Sequence, residues 1–368
     1  MKLLVLSAST GGGHDMRAHA LSDWWSKKGG LCQVYHPLEN TFVGYKFGCT
    51  LYNLIQKKIP RFHSLYFRFL EIANLHRTPR KIIGAPKYIE TCRSFNPDLM
   101  VSMHAHLNHG YFELVKVNLS KQIPFAVYCG ELADGIGFSK HWVNPQNDLF
   151  IGPYEEGVDA AHKRGMPFEK TLVGGPLLRE DFYMSWEDGK KREVLSKYGL
   201  EASKPIFLLG TGANGVNQHQ EVICAMQGAD IEGQVVALCG SNRQTYENIS
   251  RIPSTSNLSI KALPKIEAPS MVELLNISSW ILARPGAGLT TEAIVTGCPV
   301  IFDLSGGCMP QERNNLNFWK QRTGELITSS SPRQLVNIIR SRRQIPKLKI
   351  PLESSPRVLL DGLTNLIR

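Results

Sequence analysis

The 368-residue chain contains no apolar run near the ~18 residues that a helix needs to span a bilayer, and its eight cysteines include no Cys-x-x-Cys pair. The first absence excludes a membrane-spanning helix. The second, with cysteines scattered at 32, 49, 92, 129, 224, 239, 298 and 308, suits free thiols in a reducing compartment better than a disulfide framework or a zinc site. Neither DxD nor HExxH occurs, so no metal is expected. Internal repeats, low-complexity tracts and recognisable nucleic-acid modules are missing too, which removes nucleic acid from the expected partners. The N-terminus enters an apolar strand at once (LLVL), which speaks against a secretory signal and for a cytoplasmic protein.

What is present centres on the stretch from Trp280 to Asn317. A short apolar strand, Trp280 to Ala283, runs into Pro285-Gly286-Ala287-Gly288, and a helix is expected to open at Leu289 or Thr290 with Glu292 in its first turn. Gly297 and Pro299 should stop that helix. A second apolar strand from Val300 then leads to a Gly-rich loop ending in Gln311 and Glu312. Glycines let a ligand approach the main chain, and a helix start presents unpaired N–H groups backed by the positive end of the dipole. Together they make an anion site that needs no metal. Glu292 offers a carboxylate to sugar hydroxyls, so an anion plus vicinal hydroxyls points to a sugar nucleotide. An ordinary βαβ unit with a glycine turn fits the same spacing.

Along the chain, strands and helices alternate in both halves, which implies parallel sheets covered by helices. Strands are expected at 1–9, 31–35, 99–103, 124–129 and 148–151, with helices at about 15–28, 45–58, 62–75 and 84–95. Gly174-Gly175-Pro176 and the polar stretch Glu187 to Arg192 read as a linker, after which the pattern restarts at PIFLLG. The expected domains are 1–185 and 186–356, with a last helix at 357–368 packing back on the first. Gly210-Thr211-Gly212-Ala213-Asn214-Gly215 matches GxGxxG, but Asp230 precedes the strand VVALC instead of ending it. A dinucleotide reading is therefore disfavoured, although Gly212, Ala213 and Asn214 still offer N–H groups to a phosphate.

In the first half, His14 follows Gly12 and Gly13 at the end of the first strand, the edge where open α/β sheets bind ligands. A neutral imidazole there is placed to take a proton from an attacking hydroxyl, or to make a local hydrogen bond at a helix start. His104, His106 and His109 follow the strand at 99–103 and line the same edge. Charge is uneven: residues 45–93 carry ten Lys and Arg, among them Lys57, Lys58, Arg61, Arg80 and Lys81, against Glu71 and Glu90, a balance of +8 in a chain of net +10. Aromatic residues are interleaved. This segment fits an anionic membrane surface or, alternatively, solvated helix faces around a core.

Taken in order, STGGGH, NPDLMVSMHAHLNH, GGPLLREDF, VVALCGSN, RPGAGLTTEA and PQERNN resemble the diacylglycerol sugar transferases. These are the monogalactosyldiacylglycerol synthase and processive diacylglycerol glucosyltransferase group, related to the peptidoglycan N-acetylglucosaminyltransferase of glycosyltransferase family 28. The resemblance covers roughly residues 1–330. It implies an α/β GT-B fold, two Rossmann-like doubly wound parallel-sheet domains facing a cleft, acceptor mainly on the first and UDP-sugar mainly on the second. By matching motifs, Pro285, Gly286, Ala287, Gly288, Leu289 and Thr290 would hold the diphosphate and Glu292 the ribose. Gln311 and Glu312 would hold the donor sugar, main chain near Leu263 the uracil, and Asn242, Arg243 and Asn315 the rest of the donor. His14 matches the catalytic histidine, while Gly12, Gly13, His104 and His109 fall on the acceptor side.

Some motif positions differ. A Thr-Asp of the family is Gly130-Glu131 here, a His-Pro is Asn144-Pro145, the Arg of CGRN is Ser241, and a Gly before Gln311 is Pro310. The resemblance thus implies an inverting transfer from a UDP-sugar, as co-substrate and without a metal cofactor, to a lipid hydroxyl. His14, Glu131 or Asp134 would be the base, on a protein peripheral to the inner face of the membrane. A UDP-sugar epimerase on the same fold and a non-catalytic membrane-surface protein are the rival readings.

Overall fold

The computed structural model describes residues 1–9, 12–58, 71, 74, 76–210, 218–353 and 355–368, without the side chains of 52–58, 310 and 311. The expected helix at 62–75 therefore lies largely outside the described residues. The chain divides into two compact units, 1–180 with 309–314 and 353–368, and 181–308 with 315–352.

The sheet of the first unit has six parallel strands, β1 (Lys2–Leu6), β2 (Leu31–Tyr35), β3 (Leu99–Ser102), β4 (Phe125–Tyr128), β5 (Leu149–Gly152) and β6 (Thr171–Val173), in the order β2-β1-β3-β4-β5-β6. Strands covered on both faces by crossover helices must be apolar throughout, and β1, β3, β4 and β5 bury every residue except Lys2. The winding direction reverses between β1 and β3, which pair in the register Leu6↔Ser102. The loops leaving those two strands consequently emerge side by side. The C-terminal helix Arg357–Asn365 also belongs to this unit and buries Leu359, Leu360 and Leu363, side chains worth about 1.5–3 kcal/mol each when removed from water. Gly362 lets it lie close over Leu172 of β6.

The second unit repeats the plan with β7 (Ile206–Leu209), β8 (Gly233–Leu238), β9 (Leu258–Leu263), β10 (Trp280–Ala283), β11 (Val300–Asp303) and β12 (Thr328–Ser329), ordered β12-β11-β10-β7-β8-β9 and parallel. Its reversal lies between β7 and β10, where the Gly210 N–H donates to the Leu282 carbonyl at 2.8 Å. Both expected Rossmann-like doubly wound sheets are present.

Three local expectations are corrected. Residues 188–192 are not linker but part of a helix, Asp188–Tyr198. It buries only Val194 and Tyr198, four apart on one face, and the charged residues around them are good helix formers. The helix after Pro285 opens at Ala287, not 289 or 290, because Gly286 takes an extended φ of −73° and caps it directly. Glu292 is thus in the second turn. Gln311 and Glu312 are not in a loop but in the first turn of the helix Pro310–Thr323. The helix at 287 does end as expected, at Gly297 with φ +71°.

Candidate functional site

At the switch point of the first sheet, Gly12 adopts φ +79° and caps the helix Gly13–Lys27, a conformation that only glycine holds without strain. This turn sets His14 against the end of β3. Its Nδ1 lies 2.7 Å from the Met103 carbonyl oxygen. A carbonyl only accepts, so Nδ1 carries the proton and Nε2 presents the lone pair. Burial, with the nearby Arg17 guanidinium, pushes His14 down to about 4, so the ring is neutral at neutral pH. His104 packs edge-on to it with ring centroids 4.8 Å apart, and Trp142 lies at 5.9 Å. Asp15, beside His14, accepts from Ser7 Oγ at 2.6 Å and contacts His36 Nε2 at 2.9 Å. It is thereby committed to the structure and not available as a base.

The two carboxylates named with His14 separate clearly. Burial pushes Glu131 up to about 7, against the opposing pull of Arg17. Asp134 is ion-paired to Arg164 at 2.8 Å and accepts from the Gly135 N–H at 2.8 Å. Although its partial burial acts in the other direction, these partners hold it below the usual carboxylate range. It is a weak proton acceptor. Arg17, which sequence reasoning did not single out, is buried and donates from Nη2 to the Gly130 carbonyl at 3.1 Å. Its position three residues after His14 was the available signal.

Behind His14 the histidines gather. His104 and His106 lie 5.6 Å apart, His106 and His141 4.9 Å, His76 and His106 5.9 Å, and His109 and His141 6.1 Å. Among the described residues no three His, Cys, Asp or Glu side chains converge as a metal-binding set. Burial holds His76 and His109 down to about 4, below the unfolded value of about 6.5. As pH falls, the unfolded chain therefore binds these protons first. Stability should be full above about pH 6.5 and decline towards pH 4 by about 1.4 kcal/mol per pH unit for each such histidine. Urea unfolding followed from pH 7.5 to 4.5 checks this; a midpoint flat down to pH 5 would contradict it.

In the second unit the helix Ala287–Thr296 starts directly behind Pro285, with no side-chain cap. Because the Thr290 N–H is the one that reaches the Gly286 carbonyl, at 3.0 Å, the amides of residues 287–289 have no partner in the helix. A β-carbon at Gly286 would meet nothing within 4 Å, so the turn borders open space. Thr290 is 2% exposed and its buried Oγ1 has no hydrogen-bond partner. Asn315 donates from Nδ2 to the Pro285 carbonyl at 2.8 Å, which fixes the turn, while Glu292 is buried in the helix.

Other expected donor contacts are occupied within the protein. Asn242 caps the helix Arg243–Ser250 by accepting from the Thr245 N–H at 3.1 Å. Arg243, 91% exposed, pairs with Glu247 at 2.7 Å. The Leu263 carbonyl accepts from the Cys239 N–H at 2.8 Å. Glu312, nearly fully buried, accepts from the Met309 N–H at 2.7 Å. Gly212, Ala213, Asn214 and Arg61, with the side chains of Gln311, Lys57 and Lys58, lie outside the described residues.

The basic segment has an exposed apolar edge. Val43 is 80% exposed, Phe47 67% and Ile83 54%. The Tyr45 hydroxyl accepts from the Ile83 N–H at 3.0 Å and ties the start of the helix Val43–Lys58 to the turn that carries Arg80 and Lys81. Lys46, Arg77, Arg80, Lys81 and Lys87 are all exposed. Glu71 is occupied by Ser139 and by the Lys140 N–H. No helix among the described residues is long and apolar enough to cross a membrane.

No protein-family model matches the chain. It is 26% identical to the processive diacylglycerol beta-glucosyltransferase of Bacillus pumilus over 99% of this chain and 94% of that protein. It is 24% identical to the probable chloroplastic monogalactosyldiacylglycerol synthase of Nicotiana tabacum, over 92% of this chain and 64% of the plant protein. Among solved structures it resembles Acinetobacter baumannii MurG, with a TM-score of 0.55 at 15% identity over 99% of this chain and 93% of that one. It also resembles the UDP-GlcNAc 2-epimerase of Methanocaldococcus jannaschii in complex with UDP-GlcNAc and UDP, with a TM-score of 0.55 at 12% identity over 99% and 100%. The fold is GT-B, and the similarity is to the group that the motifs indicated.

Proposed function

We propose that this chain is an inverting glycosyltransferase that moves a sugar from a UDP-sugar to a hydroxyl of a membrane lipid of the diacylglycerol type. The observation that carries the reading is His14, whose Nδ1–H is held by the Met103 carbonyl so that Nε2 faces the reaction as a lone pair. In the step, Nε2 takes the proton of the acceptor hydroxyl. The acceptor oxygen forms a bond to the anomeric carbon from the face opposite UDP, and the bond from that carbon to the diphosphate oxygen breaks. Negative charge grows on the diphosphate. The amides at 287–289, which have no partner within the helix, and the helix dipole behind them supply the compensating field without a metal. Glu131 is the second candidate base and Asp134 the weakest.

Lipid as acceptor is supported by the names of the relatives and by the patch of Val43, Phe47 and Ile83 beside Lys46, Arg80 and Lys81. On this reading the protein is peripheral on the inner face of an anionic membrane.

The donor half is tested by calorimetry. UDP binds, and Glu292→Ala weakens it about two- to twelvefold through lost ribose hydrogen bonds of about 0.5–1.5 kcal/mol. Unchanged affinity in that variant removes Glu292 from the donor site, and a strict requirement for Mg²⁺ or Mn²⁺ during transfer removes the metal-free mechanism. The likeness to an epimerase supports a second reading, isomerisation of the donor sugar. Incubating the UDP-sugar without acceptor separates the two, since an epimerase converts the donor to its isomer and a transferase then leaves the donor sugar as it was.

A further inference from the structure

Arg17 lies one turn beyond His14 and reaches across the unit to a residue 113 positions away, Gly130. A β-carbon built on Gly130 would fall 2.2 Å from Arg17 Cζ, 2.3 Å from Nη1 and 2.5 Å from Nε. The guanidinium therefore fills the room that this glycine leaves, and any side chain at 130 would displace it. Backwards, the same guanidinium lies against the glycine turn, with Nη1 3.5 Å from a β-carbon built on Gly13. Arg17 is 8% exposed, and a charge buried to that degree acts strongly on its neighbours.

Among the described residues, the charged and titratable groups around it come from three segments. On its own helix they are His14 and Asp15, the latter already engaged with Ser7 and His36. From the segment after β4 come Glu131, which follows Gly130, and Cys129. From the segment after β3 comes His104, edge-on to His14. Asp134 is engaged by both Arg164, at 2.8 Å, and Lys163, at 3.6 Å, and Arg164 also acts on Cys129. The cation opposes protonation of His14, in the same sense as burial. At Glu131 it opposes the rise that burial causes. Both candidate proton acceptors thus feel Arg17 in the same direction.

We propose that Arg17 is a positioning residue for proton transfer: seated in the space left by Gly130, its guanidinium keeps His14 and Glu131 together in their proton-accepting forms. This rests on the transferase reading for its function but not for its detection. The Gly130-Glu131 pair that stands where the related enzymes carry Thr-Asp is then one half of a device whose other half is Arg17.

Protein labelled with ¹⁵N-histidine, with His14 assigned by substitution, is titrated by NMR alongside Arg17→Gln, Arg17→Lys and Gly130→Ala. The wild-type His14 signal should stay that of a neutral, Nδ1-protonated ring to about pH 5. In Arg17→Gln its titration should move up by about one pH unit, and Gly130→Ala should follow it, with the double variant no further displaced. Arg17→Lys keeps the charge and should remain near wild type, which distinguishes tuning from damage to the fold. In an active preparation the acidic limb of the kcat profile should move to higher pH in the same two variants, with UDP affinity unchanged. An unmoved His14 titration in both folded variants overturns the proposal. Because the titration needs no turnover, a moved titration in a protein that transfers no sugar upholds the Arg17 coupling and rejects only the transferase reading.

Discussion

His14→Ala should lower the turnover number by about 10²–10⁴-fold, the contribution usual for a general base, while UDP binds as in the wild type. The loss is expected in kcat because Nε2 takes a proton only as the acceptor oxygen attacks. The helix start at residues 287–289 belongs to the second unit, whereas His14 belongs to the first. The pH profile identifies which group is lost. With His14 pushed down to about 4, the rate should be level from pH 8 to about pH 5 and fall only as pH drops through the region near 4. With Glu131 as the base, pushed up to about 7, the rate should fall through neutrality. His14→Ala with near-normal turnover, together with a large loss in Glu131→Gln, would transfer the role to the carboxylate.

Charge reversal in the basic segment should strip the protein from anionic vesicles. Lys46, Arg80, Lys81 and Lys87 are exposed in the same segment as the exposed apolar residues Val43, Phe47 and Ile83. Each cation near an anionic surface contributes about 1 kcal/mol, so changing all four to Glu should reduce the partition coefficient roughly a thousandfold or more. Wild-type binding should weaken steeply with salt as the screening length shortens. Phe47→Ser should weaken it without changing the salt slope. Sedimentation with vesicles rich in anionic lipid, across a salt series, gives both readouts. A wild type that ignores such vesicles at low salt would make this segment a solvated face.

The parallel sheets were legible in the sequence because strands buried on both faces leave uninterrupted apolar runs, as in LLVL, FAVY and VVAL. His14 was legible for a related reason, since a glycine turn after a first strand places the next side chain at the binding edge of the sheet. The helix Asp188–Tyr198 was not, because its core contact reduces to Val194 and Tyr198 within a charged sequence. The early start at Ala287 was missed because Gly286 looked like a residue needed for its backbone freedom. Its φ of −73° is ordinary, and what the glycine contributes is open space. His104, His106 and His109 were readable as one group, but the addition of His76 and His141 to it, and the Arg17–Gly130 contact, were not. His76, His104 and His141 come from three distant segments, and nothing local to Arg17 announces a partner 113 residues away. The separation of Glu131 from Asp134 likewise depended on Arg164, which only the fold brings to Asp134.

The central claim is transfer itself. Purified protein is incubated with UDP-glucose or UDP-galactose and with vesicles containing diacylglycerol and anionic lipid, and both released UDP and sugar-bearing lipid are measured. The expected result is UDP released one for one with glycolipid formed, only when lipid is present, and abolished to within about 1% by His14→Ala. Donor isomerised without acceptor, or UDP bound yet never released with any lipid fraction or UDP-sugar, would contradict it.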